Sequence, residues 1–150
     1  MEIAMQISDM MTDHHHECDN YFASAENAVV KDNWAEAEAS FLKFRTALLL
    51  HLRREEEVLF PAFEAETGQT VGPTRMMRME HEQMREILEK MIDACNRHNR
   101  SDYIGNSETL MVLMQQHNMK EEHILYPMID QALESKSDKL ITKITELVSV

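Results

Sequence analysis

Apolar residues recur at alternating steps of three and four along most of this chain, the spacing that gathers side chains onto one stripe of an α-helix. Four such stripes can be read. The first runs Met11, His15, Cys18, Phe22, Ala25, Val29, and the second Trp34, Ala37, Phe41, Phe44, Leu48, His51, Glu55, Val58. The third runs Met77, His81, Met84, Leu88, Met91, Cys95, and the fourth Tyr103, Leu110, Met114, His117, Glu121, Ile124, Met128. Stripes of this kind bury themselves against one another in a bundle. Each is interrupted near mid-length by histidine, with or without glutamate, and the interruptions carry the candidate chemistry.

The breaks between stripes are equally legible. Asn33, with Glu36 three residues on, has the pattern of a helix start, so Lys31 and Asp32 mark a turn. Gly68 to Pro73 forms a second break, and Asn99, Arg100 and Ser101 a third. Helices are predicted over 5–30, 34–66, 74–97 and 102–131, with a short fifth after Ser137. The expected fold is all-α, an up-down-up-down antiparallel four-helix bundle over 5–131 with a C-terminal extension over 132–150, in a single domain spanning 1–150. Leu140, Ile141, Ile144 and Leu147 give the extension an apolar face for the bundle or for a second subunit, which makes a homo-oligomer a candidate.

A shift of 66 residues carries His15 onto His81, His51 onto His117, Glu55 onto Glu121 and Pro61 onto Pro127 without a gap. It also pairs Met10 with Met76, Met11 with Met77, Glu56 with Glu122 and Leu59 with Leu125. The pattern is that of a duplicated helical hairpin. It singles out His15 from the run His14, His15, His16, since only His15 lies on the stripe and matches a histidine in the second half. At about 1.5 Å per residue, His15 lies about 24 Å before the first turn and His51 about 27 Å after it, so the two sit at one level of an antiparallel pair.

Composition narrows the function classes. Three Gly and three Pro against thirteen Met suit long helices with few turns, and 150 residues suffice for one core without disulfides. A net charge of -12 leaves no Lys/Arg stripe for nucleic acid and repels an anionic membrane. No stretch reaches the roughly eighteen consecutive apolar residues of a membrane span. Residues 1–10 lack the basic and then apolar regions of a leader, so the cytoplasm is the expected compartment. Cys18 and Cys95 show no C-x-x-C spacing and read as reduced core residues.

His51 and Glu55, like His117 and Glu121, are four apart and project one turn apart from the same helix face. With His15 and His81 they place four imidazoles and two carboxylates inside the bundle, where unpaired polar groups cost several kcal/mol each. A pair of divalent cations would neutralise and coordinate them, with two histidines on each and the carboxylates bridging, leaving positions for water, oxo or a diatomic ligand. Imidazole with carboxylate suits iron, zinc, copper or manganese, and a bridged pair with open positions favours iron. A ferritin-like site would show Glu-x-x-His pairs, and none of the eight histidines has Glu three residues before it.

The segments His51-Leu-Arg-Arg-Glu55-Glu56-Glu-Val-Leu-Phe-Pro61 and His117-Asn-Met-Lys-Glu121-Glu122-His-Ile-Leu-Tyr-Pro127, each preceded by its own histidine, resemble the hemerythrin HHE cation-binding family over residues 5–131. The resemblance implies a non-haem di-iron centre, oxo- or hydroxo-bridged, held by His15, His51, Glu55, His81, His117 and Glu121, with chemistry toward oxygen or nitric oxide. Oxygen-carrying members have His-x-x-x-His on the third helix, where this chain has His81 and Arg85. They have His-x-x-x-x-Asp where this chain has His117 and Glu121. The position so vacated is expected to be open, or filled by His14, His16 or a nearby carboxylate. The four-His, two-Glu set is similar to that of bacterial di-iron proteins linked to nitrosative stress and iron-sulfur cluster repair. The expected function is an iron protein that binds or senses oxygen or nitric oxide, with a storage or stress role. The alternative is an enzyme that reduces nitric oxide or peroxide, or repairs clusters.

Several residues read more simply. Cys18, three residues after His15, suits a small buried hydrophobe better than a ligand, and the Met pairs suit adaptable packing. Glu56 and Glu122 read equally as acceptors behind the ligands or as solvent-facing neighbours. His98 and His123 lie off the stripes and are expected to face water, while Pro61 and Pro127 are expected to kink or end their helices.

Overall fold

A computed structural model describes residues 5–149; the start of the expected leaderless segment, residues 1–4, and Val150 lie outside the described residues. Among the described residues five helices follow one another. Helix α1 is Ile7–Val30 and α3 is Pro73–Asn96. Helix α2 covers 34–67 as Trp34–Arg54, a π-helical turn Glu55–Leu59, and Phe60–Thr67. Helix α4 covers 100–132 in the same way, as Arg100–Lys120, a π turn Glu121–Leu125, and Tyr126–Ala132. A short 3-10 turn, Glu134–Lys136, leads into α5, Ser137–Glu146. The chain is an all-α bundle, as predicted, with α1 packed along α2 and α3 along α4.

The duplication holds in three dimensions. The Asn33 side chain accepts from the Glu36 amide at 3.3 Å, and Asn99, its counterpart, accepts from the Asp102 amide at 3.0 Å. Each thereby satisfies one of the free N–H groups of a helix start. The residue before each cap, Asp32 or His98, is left-handed, with φ 58 and 51. Because Asn99 is the cap, α4 starts two residues earlier than the apolar period alone indicates. The crossed pairs also repeat: Ser8 of α1 bonds Asp130 of α4, while Thr74 of α3 donates to Glu64 of α2 at 2.7 Å.

Two apolar cores fill the bundle. One, toward the α1–α2 and α3–α4 turns, includes Phe22, Phe41, Phe44, Leu88, Met91 and Tyr103. The other, at the opposite end, includes Ile7, Met11, Phe63, Met77, Leu125 and Ile129. Helix α5 lays Leu140 and Ile144 into this second core, so the apolar face of the extension is used on its own bundle. Full burial of such a side chain contributes about 1.5–3 kcal/mol. Between the two cores lies a polar layer. Among the described residues, no helix is long and apolar enough to cross a membrane.

The π turns correct the predicted stripes. In each, the closing N–H, of Phe60 or Tyr126, reaches back to the carbonyl of Glu55 or Glu121, five residues earlier. That inserts one residue into the turn and rotates everything after it. The expected inward residues Val58 and Met128 are only half-buried, and Ile124 is 58% exposed, while Leu59, Leu125 and Ile129 are buried. A widened turn lies directly ahead of each proline. Neither proline ends its helix, since α2 continues to Thr67 and α4 to Ala132. Leu125→Ala is therefore expected to lower stability in urea unfolding by about 2–5 kcal/mol. Ile124→Ala should change it by no more than about 0.5 kcal/mol, and the reverse order would contradict the shifted register.

Candidate metal centre

Helices α1 and α3 each bring one histidine to the polar layer, and α2 and α4 each bring a histidine and, one turn on, the glutamate that opens the π turn. His15, His51, His81, His117, Glu55 and Glu121 are all buried there. Each carboxylate faces one imidazole of its own helix and one from the other hairpin. Glu121 Oε1 lies 3.2 Å from His117 Nε2 and 3.1 Å from His15 Nε2. Glu55 Oε1 lies 3.5 Å from His51 Nε2 and 3.2 Å from His81 Nε2. Two donor groups result, each with its atoms within 4.8 Å of one another: Glu55, His81, His117 and Glu121, and His15, His51 and Glu121. Glu121 belongs to both.

Four of the inward atoms are not satisfied by their neighbours. His81 Nε2, His117 Nε2, Glu55 Oε1 and Glu121 Oε2 are buried without a hydrogen-bond partner. An orphaned buried polar atom costs about 1–3 kcal/mol, and four at one centre would be hard to sustain for packing reasons alone. Inward lone pairs of nitrogen and carboxylate oxygen suit a divalent cation, so the residues fit a metal.

The opposite ring nitrogens are held from outside. His15 Nδ1 lies 2.8 Å from Glu122, His81 Nδ1 2.8 Å from Glu56, and His117 Nδ1 2.7 Å from Glu80. A carboxylate that accepts from Nδ1–H fixes the proton on that nitrogen and leaves the Nε2 lone pair facing the centre. Arg85 grips Glu56 with bonds of 2.9 and 2.7 Å, and Lys120 pairs with Glu80. Glu56 and Glu122, ambiguous in sequence, are thus acceptors behind histidines. Arg85, read only as the replacement of an imidazole, holds one of those acceptors and does not enter the centre.

Two participants escaped the sequence reading. Glu80 precedes its neighbour His81 on α3 but serves His117 on α4, a link that only the packing of the two helices reveals. Tyr126 sends its hydroxyl into the centre, donating to Glu55 Oε2 at 2.8 Å, with Glu121 Oε1 3.1 Å away as the alternative acceptor. It lies 3.3 Å from His15 Nε2 and 3.4 Å from His51 Nε2. In an uninterrupted α-helix, residues five apart point about 140° from each other. The π turn swings Tyr126 onto the face of Glu121. One signal was available: the repeat matches Tyr126 with Phe60, which stacks on His81 with ring centroids 5.7 Å apart.

The other candidates stay outside. His14 is half-buried with its ring edge-on to His51 at 5.7 Å, and His16 is exposed, so neither joins the cluster. His98 is exposed as expected, stacked on Trp34 and 2.7 Å from Glu38, and His123 is exposed too. Cys18 sits in the apolar core, where burial pushes its thiol up to about 12.

A family model described as the hemerythrin HHE cation binding domain matches residues 6–129. The chain belongs to the hemerythrin HHE cation-binding family. No curated protein and no solved structure matched it. In this hemerythrin domain the buried His/Glu cluster is the feature that fits a cation, and its electrostatics fit too. Burial opposes charge on His81, but the carboxylates of Glu55 and Glu56 beside it outweigh that and hold its pKa up at about 9. His15 and His117 are raised in the same way, with Glu121 the main partner against burial. His51, whose Nδ1 has no acceptor, is held well below its ordinary value by burial. Burial would raise the Glu121 carboxyl, yet its hydrogen bonds and the surrounding imidazoles keep it well below the usual carboxylate range.

Without a cation, therefore, protons on the imidazoles supply the charge that the carboxylates demand. Since the folded pKa of His81 lies above its ordinary value, its contribution to the metal-free protein is complete below pH 6.5 and is lost as pH rises through about 9. Metal binding runs the other way, because those protons must leave. Thermal melts of chelator-treated hemerythrin domain should show Tm falling from pH 6.5 to 9, and the gap to the metal-loaded form widening. A gap that narrows with pH would contradict this.

Proposed function

We propose that the cluster holds two iron ions, one on His81 and His117 and one on His15 and His51, with Glu55 and Glu121 between them, and that the pair binds or senses oxygen or nitric oxide. The supporting observation is the convergence of six buried donors, four of whose inward atoms, His81 Nε2, His117 Nε2, Glu55 Oε1 and Glu121 Oε2, are left without a partner at one centre. Four imidazoles to two carboxylates carry less negative charge than a carboxylate-rich site, which favours the ferrous state needed to take up diatomic ligands. Iron so held would supply reversible binding of oxygen or nitric oxide, or electrons for their reduction. The protein's own part is to fix the imidazoles through Glu56, Glu80 and Glu122 and to keep bulk water out with apolar cores on both sides.

A second reading, an enzyme reducing nitric oxide or peroxide or repairing iron-sulfur clusters in a stress response, draws support from Tyr126. Burial and the charges of Glu121 and Glu55 push its phenol well above the ordinary value, so Tyr126 Oη keeps a proton at the centre, which reduction needs and simple binding does not.

Protein purified without oxygen from iron-replete cells should carry two irons per chain and change its visible absorption on exposure to oxygen or nitric oxide. Reversal under vacuum supports the binding reading. Steady consumption of nitric oxide under a reductant supports the enzyme instead. A chain that comes out free of metal, with a Tm indifferent to chelator, would overturn both.

A further inference from the structure

The exact repeat of the ligands is not matched by the residues around them. Behind His81 and His117 stand Glu56 and Glu80, and each is held by a cation, Arg85 or Lys120. Shifting back by 66 residues, Glu80 becomes His14, Lys120 becomes Arg54, and Arg85 becomes Asp19. The consequences are visible on the other side of the centre. His51 Nδ1 is buried with no acceptor, and the Nδ1 of His14 beside it is orphaned as well. Arg54 turns away to the Leu147 carbonyl, at 3.1 and 2.9 Å, and meets His14 Nε2 at only 3.4 Å. His15 has Glu122 at 2.8 Å, but among the described residues no Lys or Arg pairs with that carboxylate, and Asp19 stands where Arg85 would.

The inner donors differ in the same sense. Four protein groups, Glu55, His81, His117 and Glu121, converge on one side, against three, His15, His51 and Glu121, on the other. His81 and His117 are 0 and 1% exposed, His15 and His51 3 and 4%. The hydroxyl of Tyr126 lies against this second side, where the repeat puts the apolar ring of Phe60 against the first.

We infer that the two metal positions are unequal: the His81–His117 position fills first and holds its ion, and the His15–His51 position is the exchangeable one, weakened chiefly because His14 stands where an acceptor for His51 is needed. This rests on the two-metal reading above. An acceptor on the outer nitrogen of a histidine ligand is worth about ten- to a hundredfold in metal affinity, so one missing acceptor suffices to separate the two positions. A protein built this way keeps one ion as a structural anchor while the other can be gained or lost. Substituting His14→Glu supplies the carboxylate that the second half possesses, with Arg54, now 3.4 Å from the His14 ring, within reach of it.

The test is titration of the metal-free full chain with cobalt(II) under argon, in competition with a chromophoric chelator, with cobalt absorption reporting each position. Wild type should take up two equivalents in two steps separated by about tenfold or more. His15→Ala should keep the tight step and lose the weak one, and His14→Glu should tighten the weak step by about tenfold while leaving the first unchanged. Two equivalents bound in one step, with His14→Glu without effect, would overturn the inequality and leave the two-metal reading standing. Loss of the tight step in His15→Ala would overturn the assignment of the positions. Failure of wild type to take up any cobalt would overturn the two-metal reading itself.

Discussion

The constraint on which this structure turns is a polar layer between two apolar cores. Four imidazoles and two carboxylates are withdrawn from water at the one level where the four long helices cross, and they do not satisfy one another's hydrogen-bonding capacity. Such a layer weakens a bundle unless charge and coordination are supplied at its centre. The outer acceptors make sense only in that light. Glu56, Glu80 and Glu122 fix the rings with their Nε2 atoms inward, an orientation that suits a cation and gives nothing to an empty core.

The π turns are the local price of that layer and also its means. By opening at Glu55 and Glu121 they let α2 and α4 carry a glutamate toward the centre and still return Leu59 and Leu125 to the second core. In α4 the same extra residue brings Tyr126 to the site. One backbone irregularity therefore sets the register of the core beyond each glutamate and, in α4, the placement of a hydroxyl in an otherwise apolar wall.

Much of this was legible in the sequence because helical spacing is a short-range signal. The stripes, the Asn33 and Asn99 breaks and the repeat of 66 residues together pick out the six residues that the structure gathers at one level. What could not be read depends on relations between helices or on departures from ideal geometry. An even three-and-four spacing leads to Ile124, whereas the π turn buries Leu125. Glu80 could not be assigned to His117 without knowing how α3 and α4 lie against each other, and Glu56 and Glu122 look like any glutamate following a ligand. Tyr126 was legible only as a break in the repeat, a hydroxyl where its partner Phe60 has none.

The central claim is that the donors of both hairpins converge because they share one dinuclear centre. Anomalous diffraction at the iron edge from crystals of the iron-loaded protein tests it most directly. Two peaks should appear inside the bundle, flanking Glu121, one against His81 and His117 and the other against His15 and His51. Iron located only among the surface carboxylates, with the interior of the bundle empty of anomalous signal, would contradict it.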